Sequence, residues 1–357
     1  PVCKAGVPMN KLISPLLALS LCAGLTLSAG CASRTGQTSP AESTILAMDT
    51  VMQLTVYGSG AQQALDAAAA AIYDLEDKLS ATDQNSDIWA VNHAGGSWTQ
   101  VSSETARLLS ETLAMCRETD GALDPTAYPA VQAWGFTSQE ELEPRDRIPS
   151  AEELAALAAL IDYTKVELDE NQVRLPQGMA LDLGATAKGY TGDCLARLME
   201  EQGIDSAIFS LGGNVQAVGS RPDGSPWRVG IQDPAGSGYL GVLEASDCAV
   251  VTSGNYERFF QLDGVTYCHI MDPKTASPVQ NELASVTIVG PSGLRCDALS
   301  TALFVMGTEQ GAGYWREHQD FQAIWIEQDG SILLTAGLED AFSLSQGYED
   351  REVTVLQ

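Results

Sequence analysis

Two hydrophobic rhythms run along this chain. In MDTVMQLTVYG (48–58), Met52, Leu54 and Val56 recur at every second position, the period of a strand with one buried face. In AQQALDAAAAAIYDLEDKLS (61–80) the apolar residues recur three and four apart, which predicts a helix. A second helix is predicted over Glu104–Glu118. Ser150 and Glu153 in PSAEELAALAAL have the spacing of a capping box and start a third. Asp263-Gly264 and Asp329-Gly330 each sit between apolar runs and mark β-hairpins, and KVELDENQVRL (165–175) reads as another. Hairpins interspersed with helices predict an α+β fold with mixed or antiparallel sheets rather than a regular βαβ repeat. There is no repeat at solenoid periods, and no Pro/Gly-rich linker divides residues 45–357, which are expected to form one composite domain.

The N-terminal pattern has a different purpose. Met9-Asn10-Lys11 precedes the apolar run LISPLLALSLCAGLTLSAGC, which ends in small residues at Cys31, so residues 1–30 are expected to be a signal peptide. Ser28-Ala29-Gly30-Cys31 is similar to a bacterial lipobox, in which the Cys is lipidated, although Leu27 stands four residues before the Cys instead of three. The polar, Ser/Thr/Pro-containing stretch that follows suggests a flexible tether over 31–44. The expected location is the bacterial cell membrane, lipid-anchored through Cys31 and facing the extracytoplasmic side. No other run is long and apolar enough to cross a bilayer.

Charge narrows the partners. With 19 Lys and Arg against 47 Asp and Glu, the net charge of −28 would repel phosphate backbones, so nucleic acid is not an expected partner. Beyond the leader, Cys116, Cys194, Cys248, Cys268 and Cys296 are scattered and odd in number, with no CxxC, so they read as small buried hydrophobes rather than zinc ligands or a disulfide framework.

Several stretches carry candidate chemistry. In CDALSTALFVMG (296–307), a helix expected from Ala298 places Asp297 and Thr301 four apart on one side. Helix capping by Asp297 explains the first residue, and oxygen ligation of a hard cation such as Mg²⁺ explains both. MALDLGATAKGYTGDCLARLMEEQGI (179–204) reads as a short strand, a turn at Gly184 and a helix start, an arrangement that suits an anion. Lys188 in the first turn would oppose the helix dipole, so it is either an incidental surface lysine or the partner of that anion. In FSLGGNVQAVG (209–219) two glycines end an apolar strand, as a plain turn or as a close approach to a ligand. His269, at a strand end before Asp272-Pro273, is a structural histidine or a general base. Trp134-Gly135-Phe136 could stack on a flat ring or lie in the core.

In combination, Met48-Asp49-Thr50, WGF at 134–136, DLGATAKGYTGD at 182–193, SLGGN at 210–214, TSGNYERFF at 252–260, HIMDPKT at 269–275 and CDALSTALFVMG resemble the ApbE-type family of FAD:protein FMN transferases, in family order and across nearly the whole mature chain. The resemblance implies an ApbE-like fold with FAD in a central cleft. It implies Mg²⁺-dependent cleavage of FAD and attachment of FMN, through a phosphoester, to a Ser or Thr of an acceptor flavoprotein or membrane redox subunit. By position it carries FAD contacts to Met48, Trp134, Gly135, Phe136, Asp182, Lys188 and Met271. It carries metal ligation to Asp297, Thr301, the Ala185 carbonyl and, at a place where the family sometimes has an acid, Ser300; it makes His269 the catalytic base. The chain departs from the family at Ala185-Thr186, where Gly-Ile is frequent, and at Ala276, where Gly is usual. These changes are expected to alter affinity rather than abolish activity. The competing expectations are an FAD pyrophosphatase that releases FMN and AMP, and a non-catalytic, tethered flavin-binding lipoprotein.

Overall fold

The computed structural model describes residues 39–137 and 148–357, so the signal peptide, the lipobox and most of the tether lie outside the described residues. Nine strands form the main sheet and lie side by side in chain order: β1 (Ala41–Ala47), β2 (Thr50–Val56), β3 (Ser206–Leu211), β4 (Asn214–Gly219), β5 (Ala249–Gly254), β6 (Leu283–Gly290), β7 (Gln322–Glu327), β8 (Ile332–Thr335) and β9 (Val353–Leu356). All neighbours are antiparallel except β8 and β9. β1 begins at Ala41, inside the stretch expected to be tether.

The central strands are apolar on both faces, and successive residues serve different cores. Val251, Ala323 and Trp325 point into the core shared with helices α1 (Ala61–Leu79), α2 (Ser103–Glu118), α3 (Gly184–Glu201) and α4 (Gly293–His318) or its continuation. Val250, Ile324 and Ile326 point the other way, onto a three-stranded sheet of Trp227–Gln232, Tyr239–Ala245 and Phe342–Leu344. Side chains alternate across a strand, so a strand covered on both faces must be apolar throughout. The hairpins predicted at Asp263-Gly264, Asp329-Gly330 and 165–175 are present, as is the capping box of Ser150 and Glu153. Cys116, Cys268 and Cys296 are buried as expected, whereas Cys194 and Cys248 are partly exposed; all five are free thiols.

Two close fits fix the helices. Where α3 crosses α4, a Cβ on Gly189 would lie 2.1 Å from the Gly293 carbonyl oxygen, so only glycine lets the backbones touch. Asp193 secures this crossing by accepting from the N–H groups of Gly293 (2.6 Å) and Leu294 (3.0 Å) at the start of α4. α4 therefore starts at Gly293 with Ser292 as its N-cap, and Asp297 lies within it, not at its cap as the capping explanation required. The helix breaks at Gly307; the Asn281 side-chain amide donates to the Phe304 carbonyl at 2.7 Å before the break, and Glu282 accepts from the Thr308 N–H at 2.6 Å after it.

Candidate active site

Antiparallel pairing brings two hairpin turns to the same end of the sheet. Met48-Asp49 joins β1 to β2 with both residues in the left-handed region (φ 49° and 58°), and Gly212-Gly213 joins β3 to β4 (φ 66° and 90°). They pack so closely that a Cβ on Gly212 would fall 2.3 Å from the Thr50 hydroxyl oxygen. Together with the start of α3, the segment after β5 and the cleft-facing side of α4, they bound a cleft of about 990 Å³.

The floor is built by the α3–α4 crossing. Buried Asp297 accepts from the Gly189 N–H through Oδ2 at 2.8 Å. In a regular helix that N–H serves the Ala185 carbonyl, so Ala185 keeps acceptor capacity beside the carboxylate. Thr301, one turn after Asp297, shares the Ser253 hydroxyl at 3.4 Å, and Ser253 also bonds Ser300 at 2.8 Å. Asp297, Thr301, Ala185 and Ser253 all line the cleft. These are hard oxygen donors with one carboxylate among them, a set that suits Mg²⁺ completed by phosphate and water. Among the described residues no group of three or more His, Cys, Asp or Glu is placed to hold a metal without such help. Ser300 does not line the cleft: it is fully buried and its hydroxyl donates to the Asp297 carbonyl at 2.8 Å.

The start of α3 differs from expectation. Met179–Leu183 forms no strand, and the helix begins at Gly184, so Lys188 stands in its second turn. Gly184 N–H is already taken by Asp182 Oδ1 at 2.9 Å, and Thr186 N–H by the Leu183 carbonyl. The cation of Lys188, whose Nζ among the described residues reaches only the Gly184 carbonyl at 3.3 Å, is thus the more available group for an anion. Burial pushes the Asp182 carboxyl above its ordinary range, against the pull of Gly184 N–H and Lys188.

His269 lines the opposite part of this region, between the strands Val265–Cys268 and Met271–Asp272. Its backbone N–H donates to the Arg258 carbonyl at 3.0 Å. Nδ1 is sealed from solvent without a hydrogen-bond partner among the described residues, which leaves Nε2 as the nitrogen facing the cleft. Burial, then the charges of Arg258 and Lys188, lower the imidazole pKa to about 4. The ring is therefore a free base at neutral pH.

Met48, Phe136 and Met271 line the cleft as expected. Met48 is held by its N–H to Glu76 Oε1 at 2.6 Å. Trp134 and Gly135 do not reach it. Trp134 lies behind the wall, packed near Phe260 and Tyr267, with Nε1 donating to the Ala276 carbonyl at 2.9 Å; Gly135 caps the short helix Tyr128–Trp134 at φ 69°. Ala276 is itself left-handed at φ 53°, and Trp134 braces that turn.

The segment TSGNYERFF contributes four further cleft residues, Thr252, Ser253, Glu257 and Arg258. Glu257 turns more than a third of its surface to the cleft, yet protein on its other sides strips most of its hydration. That desolvation, reinforced by Asp297 and opposed by Lys188, raises its pKa to about 7.

The family model for ApbE matches residues 48–325. An FAD:protein FMN transferase of Treponema pallidum (strain Nichols) is 34% identical over 318 residues, covering 83% of this chain and 86% of that protein. One from Klebsiella pneumoniae (strain 342) is 34% identical over 297 residues, covering 80% and 90%. Among solved structures, the ApbE protein of Thermotoga maritima MSB8 superposes with a TM-score of 0.79 at 30% identity over 85% of this chain and 99% of that one. The flavin transferase ApbE of Vibrio cholerae gives 0.76 at 27%, again over 85% and 99%.

Proposed function

This chain belongs to the ApbE family, and we propose that it is an FAD:protein FMN transferase whose reaction takes place on the floor formed by α3 and α4. The observation that carries this reading is the convergence on one cleft of a buried carboxylate, a lysine and a neutral histidine. An acceptor Ser or Thr hydroxyl attacks the FMN phosphorus of FAD. The new O–P ester forms as the P–O bond to AMP breaks, and the hydroxyl proton passes to His269 Nε2. A hydroxyl is a poor nucleophile without such a base. Lys188 offsets the diphosphate charge, and Met48, Phe136 and Met271 enclose the ligand. Asp297, Thr301 and the Ala185 carbonyl would hold Mg²⁺, which when bound stabilises charge on the phosphate oxygens. The Ser253 hydroxyl shares that of Thr301 in the cleft, and buried Ser300 bonds both Ser253 and the Asp297 carbonyl behind it.

The leader supports a lipid anchor on Cys31 and an extracytoplasmic location, where the acceptor would be a flavoprotein or membrane redox subunit. No described helix is long and apolar enough to cross a membrane.

The test is to mix the purified protein with FAD, Mg²⁺ and a candidate acceptor domain, and to read intact mass and in-gel flavin fluorescence. A gain of one FMN on the acceptor, lost when Mg²⁺ is chelated and in Asp297→Ala, is the expected outcome. FMN and AMP released beside an unmodified acceptor would point to hydrolysis, and intact bound FAD to a flavin-binding role.

A further inference from the structure

Acidic residues outnumber basic ones 47 to 19 in this chain, yet among the described residues only three arginines form ion pairs. Arg107 pairs with Glu111, Arg174 with Glu167, and Arg295 with Glu118 and Asp320. Of the described arginines that form none, Arg258 is the one that lines the main cleft. It lies just before the hairpin strand Phe259–Leu262 and lines the cleft, where Lys188 is the other basic lining residue. Among the described residues its side chain makes one directional contact, from Nη2 to the Asp49 carbonyl, at a long 3.4 Å. A guanidinium has five N–H donors, so most of this fork is unused. Its backbone is tied to the base, because its own carbonyl accepts the His269 N–H.

The surroundings explain why it stays unpaired. Asp182 and Glu257 feel its charge through space, and His269 is repelled by it, but none of them is in ion-pair contact with it. The guanidinium therefore stands beside the base, with its donors free and acids at one remove. A planar fork of this kind matches two oxygens of a phosphate group, which a lysine can meet only as a point charge.

We infer that Arg258 is the second cation of the diphosphate subsite, donating its fork to phosphate oxygens of FAD beside His269 while Lys188 engages the same diphosphate from α3. This rests on the transferase reading. The long contact to Asp49 is given up when the phosphate arrives. A dianion placed there would also offset the charges of Arg258 and Lys188, which add to burial in disfavouring the protonated form of His269.

The test compares FAD with riboflavin, which carries the same ring system without the diphosphate, by flavin-fluorescence titration in the absence of Mg²⁺. In Arg258→Gln the FAD Kd should rise about 10- to 100-fold, the scale of a lost charged hydrogen bond, while the riboflavin Kd stays within about twofold. Arg258→Lys should recover part of the loss. On the unmutated protein, FAD and inorganic pyrophosphate should each protect Arg258 from phenylglyoxal, and riboflavin should not, a readout that does not depend on a variant folding. An unchanged FAD Kd, an equal loss for both ligands, or no protection by pyrophosphate would overturn the assignment while leaving the transferase reading intact. Wild-type protein that binds riboflavin as tightly as FAD would remove both.

Discussion

Arg295 and Asp297 stand two residues apart on α4 and face different neighbourhoods. Around Arg295 the charges are matched: Nη2 meets Glu118 at 2.7 Å and Asp320 at 3.0 Å, and Glu118 also accepts from the Tyr314 hydroxyl at 2.6 Å. His318 completes the group, stacked on Tyr314 at 3.9 Å with Nδ1 2.8 Å from the Tyr314 carbonyl. The partners hold one another's charged forms, lowering the Glu118 pKa and raising that of Arg295. Around Asp297 the same residue types are left open: among the described residues Arg258 has no carboxylate and His269 Nδ1 no partner, and Glu257 is pushed toward its neutral form. Apart from the buried Arg295 Nε, which has no partner among the described residues, the cluster around Arg295 has spent its interactions on the fold. An unmatched one keeps them for a ligand, and perturbed groups gathered in a cleft are what such a reserve looks like.

The widest separation should come from the two histidines. His269→Ala should lower the transfer rate by about 10²- to 10⁴-fold, the range of a lost general base, with FAD binding retained. His318→Ala should leave transfer within about twofold. Rates measured on one acceptor for both variants check this, and a comparable loss in His318→Ala would end the contrast. Next in size is Gly189→Ala, which touches both regions because it sits where α3 meets α4. Its methyl group would strike the Gly293 carbonyl and the Asp297 Cβ (2.6 Å), so the helices must separate. Overpacking of this kind costs about 1–3 kcal/mol, and contact with rigid backbone puts it at the upper end. Thermal unfolding should register that loss, and Asp297 should lose its Gly189 N–H.

The matched and the open regions were not equally legible in the sequence. Hairpins and capped helices follow from local chemistry, so Asp263-Gly264, Asp329-Gly330 and Ser150/Glu153 could be read directly. The main sheet could not be assembled this way, because β2 and β3 are neighbours with some 150 residues between them. Residues 179–183 had strand composition but no partner strand, and the start of α4 was misplaced because its cap, Ser292, is helped by Asp193 from another helix. At the site, the i, i+4 relation of Asp297 and Thr301 was visible as helix geometry. Their counterparts Ser253, Glu257 and Arg258 were not, because the fold alone brings that segment over α4. Trp134 shows the opposite case: of stacking on a ligand and lying in the core, both open from its sequence context, it takes the core and braces the turn at Ala276.

A more modest effect is expected on the matched side. Arg295→Met removes the centre of a partly buried cluster and should destabilise the protein by about 1–2 kcal/mol, more than a typical exposed ion pair. FAD affinity should not change, since none of these groups lines the cleft. Denaturant unfolding beside a flavin titration separates the two readouts, and weakened FAD binding would mean that the regions are coupled through α4.

The smallest effect is a pH dependence that should be missing. An unperturbed histidine is half protonated at pH 6.5, so a free-enzyme kcat/KM depending on one would be halved there. Burial and the charges of Arg258 and Lys188 favour the neutral form of His269, so the base should remain proton-free until the pH approaches about 4. The same shift has a stability consequence of definite sign. Between pH 6.5 and about 4 the unfolded chain binds a proton that the folded one refuses, so this contribution is complete above 6.5 and is lost as the pH falls through that window. Measured in Glu257→Gln, which removes the other cleft group that titrates near neutral pH, kcat/KM should therefore stay level as the pH is lowered to 6.5. An acid limb centred at 6.5 would show that His269 already has a partner for its protonated form, and the cleft would then be as matched as the cluster around Arg295.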